Sequence, residues 1–185
     1  RDGKIALLRM QLLKEEIDLA RETLRSILLE EQKNRHTRYL TAVIKSFSEE
    51  MPQRIDAKVE LLGLLERPDA VSLRALFFLS SQATLPLFEQ EIRNVVAALN
   101  EHPLLDEGIP QLEDGPLRRI ARRLASVDTE LAFRFSSRLI NHGEPEDRDR
   151  LVHIELAQAL GKTRSVERQI EYIEEELEDN LQAQL

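Results

Sequence analysis

The sequence predicts an all-α protein built from antiparallel helical hairpins, stacked as a short α-solenoid or irregular bundle behind a long N-terminal helix. Three observations predict it. Apolar residues recur at steps of three and four through most of the chain, the period of one helix face. The 6 Gly and 7 Pro of the 185 residues fall almost entirely between those periodic segments. The same phrase of helix, short break, helix and longer break restarts near Thr37, Asp69, Gly115 and Glu146, at intervals of 32, 46 and 31 residues. A cadence of that length belongs to repeated helical pairs.

The first element spans Ile5–Asn34 without Gly or Pro. Met10, Leu13, Ile17, Ala20, Leu24 and Ile27 form an unbroken seam, widened by Leu8, Leu12, Leu19 and Leu28. The spacing predicts one rod of about 45 Å at 1.5 Å per residue. Such a rod needs an extended surface: the rest of this chain, a second copy docked through Met10, Leu13, Ile17, Leu24 and Ile27, or an upstream helix that it continues. Next, Arg38–Met51 carries Leu40, Val43, Ile44 and Phe47 on one face. Pro52 opens a helix where its missing N–H costs nothing, and Ile55, Val59, Leu62 and Leu65 are its inward stripe, ended by Pro68. Asp69 is the N-cap of Val71–Gln82, which is apolar nearly all round and so the most buried helix. Thr84 and Pro86 open the next, with Phe88, Ile92, Val95, Val96 and Leu99.

The pattern stops between His102 and Pro116, where Pro103, Pro110 and Pro116 alternate with Asp106, Glu107, Glu113 and Asp114. This reads as a linker loop, residues 102–116, between residues 1–101 and 117–185, unless the two form one continuous domain. Beyond it come Leu117–Ser126, then Asp128 capping Thr129–Asn141, with Gly143 as its stop. Pro145 begins a helix to Leu160, Gly161 breaks it, and Ser165–Gln182 is the last. Leu156-Ala157, the turn Leu160-Gly161-Lys162, and Ile170 with Leu177 carry a likeness: Leu151–Leu177 resembles a tetratricopeptide-type repeat. In the hairpin before it, Ala132, Phe135, Leu139 and Pro145 resemble the same family more loosely. The resemblance implies stacked helical pairs.

Composition narrows the function. A net charge of −8 opposes general nucleic-acid binding, which needs a positive field. Aromatics at 4%, with no Trp, supply few stacking platforms for single strands. There is no Cys, hence no disulfide, thiolate ligand or Cys nucleophile. Apolar runs such as Ala75–Ser81 are too short to span a bilayer. His36, His102, His142 and His153 lack metal-ligand spacing, and no phosphate-cradling glycine loop or nucleophile elbow occurs. The expectation is a soluble, cytoplasmic chain needing no metal or cofactor. Its start at Arg1 reads as a fragment or processed product.

Three constellations remain. Arg148-Asp149-Arg150-Leu151-Val152-His153 has the form R-[ND]-x-x-x-H and looks like the active-site motif of the HEPN family of helical ribonucleases. That resemblance implies a dimer in which Arg148, Asp149 and His153 act on a phosphodiester. Read as structure alone, the same residues are a solvated first turn and a half-buried histidine. Arg118, Arg119, Arg122 and Arg123 lie on one side of a helix; with Arg134 and Arg138, the stretch Pro116–Arg138 holds six positive and two negative charges. These arginines either pair with the acidic linker and neighbouring helices or dock an acidic partner segment, since guanidinium forks bind carboxylates bidentately. The stretch Val166–Leu185 is the opposite, one Arg against seven acids over an apolar stripe of Val166, Ile170, Ile173 and Leu177. It reads as a polar cap, or as the mate of the arginines in another copy. The functional expectation is a non-catalytic protein–protein interaction module holding a partner segment in a groove between hairpins. Arg118, Arg119, Arg122, Arg123, Arg134 and Arg138 are the contact residues and Pro103–Pro116 a gate. The alternatives are the dimeric ribonuclease and an oligomerising or membrane-proximal spacer.

Overall fold

A computed structural model describes residues 2–14, 16–27, 34–82 and 85–182. Every regular element among the described residues is helical, and within each unit most successive helices pack on one another. The chain divides into two compact units, Arg1–Leu105 and Asp106–Leu185.

The first unit opens with α1, Asp2–Leu13, and α2, Ile17–Arg25. The expected single rod is therefore a hairpin. The Glu16 N–H closes on the Gln11 carbonyl at 2.8 Å, and Glu16 leaves helical geometry at φ −79°, ψ 64°. Lys4 Nζ, on α1, then donates to the Ser26 carbonyl at the end of α2 (2.9 Å). The physical reason is burial. A straight rod would leave its apolar seam in water, whereas doubling it back encloses Leu8, Ala20 and Ile27 against Leu40 and Ile44 of α3, Arg35–Ser46. Of the expected oligomerisation residues, Ile27 is core, Leu24 packs against it, Ile17 is half-buried and Met10 is 48% exposed. The Leu13 side chain and Leu28 lie outside the described residues.

Asn34 caps α3 by accepting from the His36 N–H at 2.9 Å. Helix α4, Met51–Gly63, has Pro52 in its first turn and tightens into a 3₁₀ turn over Leu64–Glu66. Its inward face is Ala57, Lys58, Leu61 and Leu64, not the expected stripe. Ile55 and Val59 face solvent, with Leu62 and Leu65 half-buried. Small Ala57 lets α4 approach its neighbours closely, and Arg38 of α3 pairs with Glu60 across the contact. Helix α5, Ala70–Ser81, starts on a capping box. The Asp69 carboxylate accepts from Val71 and Ser72 N–H (2.9 and 3.0 Å), and Ser72 Oγ accepts from the Asp69 N–H. Arg35 bridges to Asp69 at 3.2 Å, tying α3 to that start. Leu73, Ala75, Leu76 and Leu79 are buried, as its all-round apolar pattern predicts. Helix α6, Glu89–Asn100, buries Val95, Val96 and Leu99 but leaves Phe88, at its N-cap, in solvent. Thr84 lies outside the described residues.

Much of the expected linker loop is helical. Helix α7, Leu105–Gly108, runs into a 3₁₀ turn over Ile109–Gln111, and Leu105 and Ile109 are buried. Pro110 and Pro116 occupy first turns, where no backbone donor is required of them. The second unit continues with α8 (Asp114–Leu124), α9 (Thr129–His142), α10 (Asp147–Ala159) and α11 (Thr163–Gln182). Asp128 caps α9 through the Leu131 N–H at 2.9 Å. The α8–α9 core is Leu117, Ile120, Ala121 and Leu124 against Leu131, Ala132, Phe135 and Leu139; Leu156 and Ala157 add α10. Gly161 turns α10 into α11 at φ +66°, a left-handed conformation that glycine adopts without a Cβ penalty. Ile170 is exposed on α11, and the Leu177 side chain lies outside the described residues.

Candidate functional site

The arginine face of α8 is tied into its own unit. Arg118 Nε donates to Asp149 Oδ2 at 2.6 Å and Arg122 donates to Oδ1 at 2.7 Å, so one carboxylate of α10 holds two guanidiniums of α8. Asp149 is 4% exposed and also accepts from the Glu146 N–H at 3.0 Å. Burial disfavours its charge. The Arg118 hydrogen bond, the Glu146 N–H and Arg122 more than offset that, and hold its carboxyl below the usual range. The Asp149 hydrogen bond, working against burial, pushes Arg118 up in return. Arg134 pairs with Asp106, and Arg138 donates to the Pro110 carbonyl at 3.2 Å. Arg123 is half-buried, and burial lowers its pKa. Arg119 is exposed. At least four of the six expected contact arginines, Arg118, Arg122, Arg134 and Arg138, thus bind their own chain, through the acidic segment after Leu105 and through α10.

Within the R-[ND]-x-x-x-H motif, Arg148 is exposed while Asp149 sits in the arginine clamp. His153 is 2% exposed, between Ser136 Oγ of α9 (2.9 Å from Nδ1) and Ser165 Oγ of α11 (2.8 Å from Nε2). Ser136 gives its own proton to the Phe133 carbonyl, so it accepts from Nδ1–H and leaves Nε2 to accept from Ser165. The ring stacks on Phe133 at 4.8 Å, and burial pushes its pKa down to about 4. Here the imidazole is a neutral bridge joining three helices, while Arg148 is exposed. The periodic pattern carried no sign of this, because serines at 136 and 165 read as ordinary helix residues.

A groove of about 360 Å³ opens in the second unit, lined by Ile109, Pro110 and Phe133 with Asp106, Arg134 and Lys162 among its polar residues. Lys162 Nζ stands 4.7 Å from the Phe133 ring centre. Two acids, Asp106 and Glu130, and two bases, Arg134 and Lys162, line it, and Arg134 is paired with Asp106, so no single ligand charge is selected.

The first unit carries a different feature. Met51, Ile55 and Val59 recur every fourth residue along the outer face of α4, Val59 being 61% exposed. Beneath them Lys58 is buried, and its Nζ donates to both Glu91 carboxylate oxygens (3.0 and 3.1 Å) and to the Pro86 carbonyl (3.2 Å). That ammonium also lies 4.7 Å from the centre of the Phe88 ring. The Phe88 N–H donates to Glu91 Oε2 at 2.8 Å. Phe88, 72% exposed, is thus held at its backbone by Glu91 and at its ring by Lys58. Burial opposes the Glu91 charge, yet the Phe88 N–H and Lys58 keep its carboxyl below the usual range. Hydropathy periodicity assigned Ile55 and Val59 to an inward stripe and ended the preceding helix at Met51, which is why the sequence did not show this row as a surface.

Among the described residues, no three His, Asp or Glu side chains converge as a metal-holding group, and no helix is long and apolar enough to cross a membrane. No protein-family model, curated protein or solved structure matches this chain.

Proposed function

We propose that this chain is a non-catalytic protein–protein interaction module. The observation that carries the reading is the row Met51, Ile55 and Val59 on α4, with Phe88 fixed by its Lys58 and Glu91 contacts. Burying an exposed aromatic that is already immobilised costs a binder little side-chain entropy, the property of a binding anchor. The row matches the i, i+4, i+8 spacing with which helices engage one another. Glu49, Glu50 and Asp56 are exposed beside it, while Arg54 turns back to the Met51 sulfur. The partner segment is therefore an amphipathic helix with Lys or Arg flanking its apolar face. The arginines of α8 support this choice of surface indirectly, since Arg118 and Arg122 hold the second unit together.

The test compares capture of binding proteins by the parent chain and by Val59→Glu combined with Phe88→Ser. Both side chains are exposed, so melting should stay within about 2 °C of the parent. Loss of a bound protein by roughly tenfold or more supports the surface. Equal capture by both chains overturns it. A parent that is dimeric and a variant that is monomeric in light scattering would assign the face to a second copy of the chain instead.

A further inference from the structure

The α1–α2 hairpin rests on α3 through a small apolar cluster, Leu8, Ala20, Ile27, Leu40 and Ile44. A polar tie closes its edge: Arg9 Nε of α1 donates to His36 Nε2 of α3 at 2.8 Å. A guanidinium has no acceptor, so the contact exists only while Nε2 offers a lone pair and the ring is neutral. A protonated imidazole carries N–H at both nitrogens, which turns this hydrogen bond into a contact between two donors and two cations.

The surrounding charges deepen that conflict. Besides Arg9 from α1, Arg74 from α5 acts on the ring with the same sign. Tyr39, on the same helix with its ring centre 6.4 Å away, supplies no anion; burial pushes its phenol up to about 12. The carboxylates brought to α3 are engaged elsewhere, Glu60 of α4 by Arg38 and Asp69 before α5 by Arg35. Among the described residues, α2 brings no titratable group to the ring.

We propose that the Arg9–His36 contact is an acid-released latch: protonation of His36 frees the α1–α2 hairpin from α3 and uncovers the apolar face of Leu40 and Ile44, while α4–α6 stay folded. Burial, then Arg9 and Arg74, push the latched ring down to about 4. In a released hairpin, freed of burial and of Arg9 but still beside Arg74, it rises back toward the ordinary 6.5. A folded value below the free one places the stabilisation at high pH. It is complete above about 6.5, declines as pH falls, and is lost below about 4. The latch equilibrium weakens by up to roughly 300-fold across that window.

The test is hydrogen exchange, corrected for intrinsic rates, on the full chain between pH 7.5 and 4.5. In the parent, protection in α1 and α2 should fall below pH 6.5 by a much larger factor than in α5, which the Ser72–His102 contact weakens over the same range. His36→Gln presents an amide oxygen to Arg9 and does not titrate, so its α1–α2 protection should be flat over the same range. The proposal is overturned by pH-independent protection in the parent, by equal loss in α1–α2 and α5, or by the same loss in His36→Gln. If His36→Gln is unprotected even at pH 7.5, the His36 titration in the parent by NMR decides. A value well below 6.5 sustains the latch; one at or above 6.5 overturns it.

Discussion

At the scale of single residues, the second unit depends on the charge of Asp149. It accepts from two arginines and a backbone N–H while almost wholly buried. Removing one partner from such a cluster is costly because the remaining charges lose their compensation, rather than because the pair itself is strongly stabilising. Asp149→Ala should therefore cost about 3 kcal/mol, the low end for a buried pair because both arginines keep some solvent. In thermal denaturation that is a fall of roughly 6–12 °C. Arg119→Ala, on the same helix but exposed, should change stability by less than about 0.5 kcal/mol. Equal effects of the two would show that the clamp does not organise this unit. Position in sequence distinguishes neither arginine, since both sit in one basic cluster. Only the arrival of α10 beside α8 does.

At the scale of elements, two helices show how a hydrophobic period can be right and its orientation open. The seam Met10, Ile17, Ala20, Leu24 and Ile27 has the spacing of a coiled coil, and the chain satisfies it by folding on itself. Leu8→Ala should then cost about 2–5 kcal/mol, the range for emptying a core position, in denaturant unfolding. Met10→Ala should stay within about 0.5 kcal/mol. A dimer interface along the seam would reverse that order. On α4 the apolar set spans more than one face, so Ala57, Leu61 and Leu64 can point inward while Met51, Ile55 and Val59 point out. Periodicity measures that a stripe exists; it does not weigh Ala against Val for close approach to α3. The caps were easier to read. Asp69 and Asp128 start helices through hydrogen bonds to N–H groups two or three residues away, a distance within which sequence acts directly.

At the scale of the whole molecule, both units contain neutral imidazoles joined to neighbouring elements or to the adjacent turn. His36 accepts from Arg9, and His153 bridges Ser136 and Ser165. His102 meets Ser72 Oγ at 3.0 Å and accepts from the Leu104 N–H at 3.2 Å. Burial is the main cause that lowers all three, opposed at His102 by Asp69. The unfolded chain, with histidines near 6.5, takes up their protons first. Stability should be full above about pH 6.5 and fall steadily toward pH 4, with His153 alone accounting for about 3 kcal/mol. Urea midpoints at pH 7.5, 5.5 and 4.5 measure this. A midpoint unchanged at pH 4.5 would mean that these rings titrate as they do in water.

The helical class, the caps at Asp69 and Asp128 and many helix ends were legible in the order of residues, because they rest on forces between groups a few positions apart. The break at Glu16, the outward row on α4, the clamp on Asp149 and the histidine bridges were decided by the tertiary structure. Each depends on partners 12 to 33 residues away or on which of two apolar faces packs better. Local periodicity contains neither quantity. The candidate surface belongs to that second group: it is the part of the apolar pattern left over once the core has been filled.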